Sequence, residues 1–217
     1  MTPFYRVSLQ EMARTKSSAS WMSRHLSDPF VKQAQKDGYR SRSAYKLIEL
    51  NDKDRLIRPG MRIMDLGSAP GGWSQVAGKL VGEKGRVLAT DILPMDPLKN
   101  VDFIQGDFTE EAVVQQLLDW LGGAKFDLII SDIAPNLTGI DSADQASSMY
   151  FLELALDTVR KTLKPGAAFV AKMFQGSGSD QYLKELRAHF EKVLIRKPAA
   201  SRKESREVYL VAKGLRA

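Results

Sequence analysis

Four aspartates end or closely follow apolar runs of the sequence, and together they could bind a ligand rich in hydroxyl and amino groups. They are Asp65, Asp91, Asp107 and Asp132. The carboxyl ends of parallel strands meet at one edge of an open α/β sheet, and such sheets bind their ligands there. A single aspartate at this position often only caps the turn that follows it. Four of them in successive runs predict a binding site at that edge.

The turn that follows the first run has almost no side chains. Its residues, Gly67-Ser68-Ala69-Pro70-Gly71-Gly72, join a strand-like run to a helical pattern, which is the unit that holds nucleoside cofactors. The turn lacks the G-x-G-x-x-G spacing that brings backbone close to a pyrophosphate. S-adenosylmethionine has no phosphate and carries a sulfonium, so acids and bare backbone suit it. We therefore predict S-adenosylmethionine as the cofactor.

The acids that follow the turn fit this cofactor. Asp91 could accept hydrogen bonds from both ribose hydroxyls, and Asp107 could accept one from the adenine amino group. The sequence allows two positions for the Trp73 ring. It could pack against the methionine part of the cofactor or against the helix behind it.

Apolar runs and helical patterns alternate along the chain after Pro59-Gly60. The predicted strands are Arg62–Leu66, Arg86–Asp91, Val101–Gln105, Phe126–Asp132, Ala167–Phe174, Val193–Arg196 and Glu207–Ala212. The predicted helices are Ser74–Leu80, Glu110–Leu121, Ala143–Leu163 and Gln181–Phe190. This alternation predicts an α/β fold with a doubly wound, mostly parallel seven-stranded sheet. A loop without a helix joins the last two strands, so we expect the last strand to run antiparallel.

The first part of the chain precedes this alternation. Residues 1–20 are polar and Ser-rich, and we interpret them as a mobile arm. Residues 21–217 are expected to form a single domain that begins with a helical segment, about 21–58. Pro29 interrupts the apolar residues of that segment, which indicates short helices. Ser41-Arg42-Ser43 offers an N-cap for an amphipathic helix that begins at Ala44.

Composition excludes several classes of site. The chain has 217 residues, 43% of them apolar and 27% charged, which is typical of a globular protein. It has no cysteine, so disulfides and thiolate nucleophiles are excluded, and its two histidines are far apart, so no metal site is expected. No apolar run approaches the roughly 18 residues of a membrane span, and no secretory h-region is evident. The expected location is the cytoplasm.

Charge is concentrated at the two ends of the sequence. Residues 1–46 carry nine Lys/Arg and three acids, and residues 184–217 carry ten Lys/Arg and four acids. The centre is acidic. Such ends are either solvated tails or two parts of a surface that holds a polyanion.

Several strings of the sequence resemble those of one enzyme family. Asp65-Leu66-Gly67-Ser68-Ala69-Pro70-Gly71-Gly72-Trp73-Ser74-Gln75 is similar to the cofactor motif of the FtsJ/RlmE-type ribosomal RNA ribose 2′-O-methyltransferases. The resemblance continues through strings that cover nearly everything from about Ser20 onward. These strings are Asp91-Ile92-Leu93-Pro94-Met95-Asp96, Gln105-Gly106-Asp107-Phe108, Ser131-Asp132-Ile133-Ala134-Pro135-Asn136, Lys172-Met173-Phe174-Gln175-Gly176 and Ser205-Arg206-Glu207-Val208-Tyr209.

The resemblance implies a Rossmann-like methyltransferase that methylates a uridine ribose of large-subunit (23S) ribosomal RNA. The catalytic set of the family falls on Lys46, Asp132, Lys172 and Glu207, and its cofactor contacts fall on Gly71, Trp73, Asp91, Asp107 and Asp132. Ser68, Gly166-Ala167-Ala168 and Thr138-Gly139-Ile140-Asp141 depart from the usual pattern. None of these departures touches the catalytic set, although the last could change how RNA fits.

Methyl transfer from a sulfonium to a ribose hydroxyl requires alignment and removal of the hydroxyl proton. A lysine can take this proton when part of its population is neutral, which burial or a second cation favours. We favour Lys172 as the acceptor because it lies within an apolar predicted strand and is aimed at the same edge as Asp132. Lys46 in that role stays open. Asp132 would orient the groups and support the sulfonium, and Glu207 would position Lys46 or a ribose hydroxyl.

The basic ends would converge on this centre and bind large-subunit ribosomal RNA, within an assembled or assembling 50S particle, through phosphate contacts. The candidates are Arg24, Lys32, Lys36, Arg40, Arg42, Arg196, Lys197, Arg202, Lys203 and Arg206. Tyr39, Tyr45 and Tyr209 could stack on a base or pack in the core. No stable protein partner is evident. The alternatives are a tRNA ribose 2′-O-methyltransferase, a non-catalytic ribosome-assembly factor that binds RNA, and a nicotinamide-dependent oxidoreductase, against which the turn counts.

Overall fold

The computed structural model of the protein describes residues 28–134 and 141–217. The mobile arm predicted for residues 1–20 and the predicted phosphate contact of Arg24 lie outside these ranges. So do residues 135–140, which include Thr138-Gly139-Ile140 of the loop that departs from the family pattern. Seven strands form one sheet in the order β3-β2-β1-β4-β5-β7-β6. The predicted fold class is therefore confirmed.

The strands are β1 (Arg62–Leu66), β2 (Arg86–Asp91), β3 (Val101–Gln105), β4 (Phe126–Ser131), β5 (Leu163–Phe174), β6 (Phe190–Arg196) and β7 (Glu207–Leu215). Strands β1 to β5 pair in parallel, whereas β7 runs antiparallel to both of its neighbours, β5 and β6. The last strand therefore lies inside the sheet. This places its first residues beside the carboxyl end of β5.

The helices are α1 (Pro29–Asp37), α2 (Ala44–Asp54), α3 (Gly72–Val81), α4 (Glu111–Leu121), α5 (Asp141–Thr162) and α6 (Ser179–His189). Helices α2 and α3 cover one face of the sheet, where Leu47 and Val76 belong to one buried cluster. Helices α4, α5 and α6 cover the other, where Leu117 and Leu156 belong to a second buried cluster. Because successive strand residues point to opposite faces, the strands supply side chains to both cores.

The N-terminal segment forms short helices, and α2 begins at Ala44 as predicted, but two local details differ from the prediction. Ser43 stands at the N-cap position of α2, but its side chain makes no capping hydrogen bond and its hydroxyl lies 2.6 Å from that of Ser41. Pro29 begins helix α1, since proline is tolerated in the first turn, where no N–H partner is needed. Asp28 caps this helix by accepting a hydrogen bond from the N–H of Phe30.

Candidate functional site

Strand pairing brings three of the four predicted catalytic residues to one edge of the sheet. In the antiparallel pair β5–β7, Lys172 lies opposite Tyr209 and Phe174 lies opposite Glu207. Asp132 follows directly after β4, the parallel neighbour of β5. The fourth residue, Lys46, reaches this edge from helix α2.

The four predicted catalytic side chains form two ion pairs, one buried and one with a half-buried aspartate. Lys46 Nζ lies 2.7 Å from Glu207 Oε1, and Lys172 Nζ lies 3.1 Å from Asp132 Oδ1. Lys172 also donates a hydrogen bond of 2.6 Å to the backbone carbonyl of Asp132. Lys46, Lys172 and Glu207 each expose less than a tenth of their surface. Asp132 is half-buried, so three of the four charged groups are held away from water, where charge interactions are stronger than at a surface.

Tyr209 joins the two ion pairs into one network. Its hydroxyl accepts a hydrogen bond of 3.0 Å from Lys46 Nζ and donates one of 2.6 Å to Asp132 Oδ1. Burial, and then the charges of Asp132 and Glu207, raise the pKa of Tyr209 well above its usual value. The hydroxyl therefore stays protonated and keeps donating at neutral pH.

The sequence predicts base stacking or core packing for Tyr209 and does not predict that its hydroxyl links the two ion pairs. Its ring is fully buried and packs against Trp73, with 5.6 Å between ring centroids, so it cannot stack on an incoming base. The available signal was its position two residues after Glu207 on a predicted strand, which puts both side chains on the same face.

The two aspartates predicted to bind the ribose and the adenine of the cofactor, Asp91 and Asp107, are both oriented by backbone N–H groups. Asp91 accepts hydrogen bonds of 2.8 Å from the N–H of Ala69 and from the N–H of Leu93, one on each carboxylate oxygen. Asp107 accepts one of 2.9 Å from the N–H of Thr109. Both aspartates thus shape the local turns, and each oxygen keeps a lone pair for a further donor.

Asp65, the first of the four aspartates, is buried beneath the turn rather than exposed at the edge. Only 1% of its surface is exposed, and Ser74 donates a hydrogen bond of 2.6 Å to its Oδ2. Its Oδ1 has no hydrogen-bond partner within residues 28–134 and 141–217. Burial, followed by the charges of Asp132 and Asp91, raises the pKa of Asp65 to about 7. An ionised Asp65 is therefore costly without a nearby cation.

Two positions of the turn require glycine, because their φ angles are positive and neighbouring side chains lie close to the backbone. Gly67 has φ of 69°, and a Cβ there would lie 2.1 Å from the Ile133 side chain that follows Asp132. Gly71 has φ of 103°, and a Cβ would lie 2.9 Å from the side chains of Arg40 and Met95. The turn is thus packed closely against the segments around it, and the hydrogen-bond acceptors beside it that fit the hydroxyl and amino groups of a nucleoside are the carboxylates of Asp91 and Asp107.

Trp73 takes the second of its two predicted positions. Its side chain is 2% exposed, belongs to the core beneath α2 and α3, and donates its indole N–H to the carbonyl of Ser43 at 2.9 Å. The ring is therefore turned into the core, away from the surface that a cofactor could reach. The backbone N–H of Trp73 remains in the first turn of α3, where donors have no partner within the helix.

Several of the cations predicted to contact RNA phosphate make contacts within the chain instead. The Arg40 guanidinium donates to the carbonyls of Pro70, Asp96 and Pro97, at 3.3, 2.7 and 2.9 Å, and so joins the N-terminal segment to the turn. Arg196 donates two hydrogen bonds to Asp54, of 2.8 and 2.9 Å.

The other predicted phosphate contacts include a cation that is paired within the chain and cations that are exposed. Arg42 pairs with Asp28 and donates to the carbonyl of Ala200. By contrast, Lys32, Lys36 and Lys203 are exposed. These three lysines form no ion pair with any residue of 28–134 and 141–217, so they are the better candidates for binding phosphate.

Within the described ranges, no group of three or more His, Asp or Glu side chains is arranged to hold a metal ion. No helix in these ranges is long and apolar enough to cross a membrane.

Comparison with known proteins places the chain in one enzyme family. The sequence profile of FtsJ-like methyltransferases matches residues 39–215. The chain is 70% identical to the ribosomal RNA large subunit methyltransferase E of Stutzerimonas stutzeri, over 94% of this chain and 100% of the relative. It is 55% identical to the protein of the same name in Pseudomonas aeruginosa, over 94% of this chain and 99% of the relative.

A solved structure supports the same placement. The chain superposes with a TM-score of 0.74 on a Plasmodium falciparum protein assigned as a ribosomal RNA methyltransferase. The two sequences are 32% identical, and the match covers 82% of this chain and 98% of the other.

Proposed function

Because the chain belongs to the FtsJ-like methyltransferase family, we propose that it transfers a methyl group from S-adenosylmethionine to the ribose 2′-hydroxyl of a uridine in large-subunit ribosomal RNA. The observation that carries this proposal is the buried network of Lys46, Tyr209, Asp132, Lys172 and Glu207. The relatives with up to 70% identity bear the name of a large-subunit ribosomal RNA methyltransferase, which supports the same substrate. Since the RNA is ribosomal, the proposed location is the cytoplasm.

We propose that the glycine turn and the acids beside it hold the cofactor. Asp91 and Asp107 would accept hydrogen bonds from its ribose and adenine, and the backbone of Gly71 and Trp73 would lie against its amino-acid part. When bound, S-adenosylmethionine supplies an electrophilic methyl group on a sulfonium, which becomes a neutral thioether after transfer. Asp132 would stabilise that positive charge before transfer.

Lys172 would take the proton that the ribose hydroxyl loses as its oxygen is methylated. A neutral amine has two N–H donors and one lone pair. The two acceptors near Lys172 Nζ, the carbonyl and the carboxylate of Asp132, would occupy both donors. The lone pair would then be free for the hydroxyl proton. Lys172 is buried within strand β5 and reaches the edge where β4 ends, and burial favours a neutral amine, so we favour Lys172 over Lys46 on helix α2.

Lys46 would act as a cation beside the ribose. Its contacts with Glu207 and Tyr209 fix its ammonium group, which could stabilise negative charge as it develops on the oxygen. Such preorganised charge contributes most in a site that excludes water. Glu207 would position Lys46, and Tyr209 would hold Lys46 and Asp132 at a constant separation.

The test uses ribosomes from cells that lack the protein. Intact 50S particles, deproteinised 23S RNA and tRNA from these cells are each incubated with the purified protein and labelled S-adenosylmethionine. After digestion, nucleosides are separated and the label in 2′-O-methyluridine is measured. We expect label in the large-subunit RNA, and we propose the particle as the better substrate. Label confined to tRNA would indicate a tRNA ribose methyltransferase, and no label in any RNA would indicate a non-catalytic assembly factor.

A further inference from the structure

The connection between β6 and β7, residues 197–206, places a serine hydroxyl against one of the two ion pairs. Ser201 donates a hydrogen bond of 2.7 Å to Glu207 Oε1. The same oxygen lies 2.7 Å from Lys46 Nζ. Ser201 is 6% exposed, so water does not readily replace it as a donor. One carboxylate oxygen thus receives two donors, one from the connection and one from helix α2.

The connection is also fastened to the helix that carries Lys46. The N–H of Ala199 donates a hydrogen bond of 2.7 Å to Glu49 Oε2 on α2, and the carbonyl of Ala200 accepts one from Arg42, just before α2. A turn closed by the N–H of Ser201 and the carbonyl of Pro198, at 2.8 Å, sets the direction of the serine side chain. The contacts with α2 and the turn within the connection together hold the Ser201 hydroxyl in place.

The terminal torsion of a glutamate is broad, so a carboxylate held by one partner can rotate. A second donor on the same oxygen restricts this rotation and keeps the oxygen directed toward the lysine. We infer that Ser201 is a positioning residue, whose hydroxyl orients the Glu207 carboxylate and thereby fixes the Lys46 ammonium beside the reacting ribose. This inference rests on the proposed function and extends it to a residue outside the predicted catalytic set.

The test is a kinetic cycle in which Ser201→Ala is made alone and combined with Glu207→Ala. We expect Ser201→Ala to lower kcat roughly five- to tenfold, as for loss of one hydrogen bond of ordinary strength, and to leave KM for S-adenosylmethionine unchanged. In the Glu207→Ala background, the same change should have almost no effect, because the group it orients is gone. Ser201→Thr keeps the hydroxyl and should recover most of the lost kcat.

Ser205→Ala is the matched control, since Ser205 lies in the same connection and its hydroxyl accepts a hydrogen bond from the backbone N–H of Glu207, away from the carboxylate that Ser201 contacts. It should show no kinetic coupling to Glu207→Ala. Equal losses from Ser201→Ala in both backgrounds would overturn the inference, because they would mean that Ser201 supports the fold and not Glu207. Thermal unfolding of each variant shows whether it is folded at the assay temperature.

A spectroscopic arm separates this inference from the proposed function. If the wild-type protein methylates no RNA, the proposed function fails and the kinetic cycle cannot be run. The carbon-13 signal of the Glu207 carboxylate, assigned with Glu207→Gln, still reports the contact. A shift of this signal in Ser201→Ala but not in Ser205→Ala supports the contact, and an unchanged signal in Ser201→Ala overturns it.

Discussion

Asp65→Asn should change the pH dependence of stability more than any other conservative substitution near the turn. Burial and the charges of Asp132 and Asp91 raise the pKa of Asp65 from 3.8 to about 7 in the folded protein. The folded state therefore holds a proton that the unfolded state has released, and stability falls as pH rises from about 4 to about 7. A difference of about 3 pKa units corresponds to about 4 kcal/mol.

Asparagine cannot ionise, and its carbonyl oxygen can still accept the hydrogen bond from Ser74. Its amide N–H₂ replaces an oxygen without a partner and lowers stability by about 1–3 kcal/mol at every pH. The free energy of unfolding of Asp65→Asn minus that of wild type should therefore rise by up to about 4 kcal/mol between pH 4.5 and pH 8.

The assay is urea unfolding of the cofactor-free protein at half-unit steps of pH, followed by circular dichroism. Asp52→Asn, at an exposed position of α2, controls for the loss of one negative charge and should run parallel to wild type. Parallel curves for Asp65→Asn and wild type would refute the reasoning, because they would mean that Asp65 takes up no proton on folding. A difference that falls with pH would refute it equally.

Three further predictions concern the network, a structural ion pair and RNA binding. Tyr209→Phe removes the hydroxyl between Lys46 and Asp132 and should lower kcat about 10- to 100-fold in the methylation assay while the protein stays folded. Arg196→Gln leaves the buried Asp54 carboxylate without its main partner and should lower stability by about 1–3 kcal/mol in urea unfolding, with little change in RNA affinity. RNA affinity should fall steeply with salt, and neutralising Lys203 should lower the salt slope by about one, measured by filter binding.

Much of the fold could be predicted from the sequence because β1, β2 and β3 are short apolar runs bounded by glycine, proline or charge. Strand β5 begins earlier than predicted, at Leu163, because its first residues include Lys164-Pro165-Gly166 and have no apolar pattern. Strand β7 continues to Leu215 because it pairs there with Phe190 of β6, a contact between residues distant in sequence. Pairing of this kind is a property of the whole sheet.

The candidate site was predicted where residue type restricts the chemistry. A lysine within an apolar strand, such as Lys172, has few structural explanations, and the family resemblance identified its partners. Sequence could not show that Arg40 and Arg196 make contacts within the chain, since a cation on a helix or strand has the same pattern in either case. It also could not show that Ser201 meets an ion pair, because that contact depends on how the connection to β7 folds against helix α2. For Tyr209 the spacing from Glu207 gave the shared face but not the contacts, which depend on how β7 inserts between β5 and β6.

The most direct test of the central claim is single-turnover methylation of 50S particles from cells lacking the protein, with wild type compared with Lys172→Met. Methionine is similar to lysine in length and cannot accept a proton. Binding of S-adenosylmethionine by calorimetry confirms that the variant keeps its cofactor site. We expect the wild-type protein to form 2′-O-methyluridine. Lys172→Met should form it at a rate roughly 10²–10⁴-fold lower, the range typical of a removed general base. Equal rates in the two proteins would contradict the proposed role of Lys172.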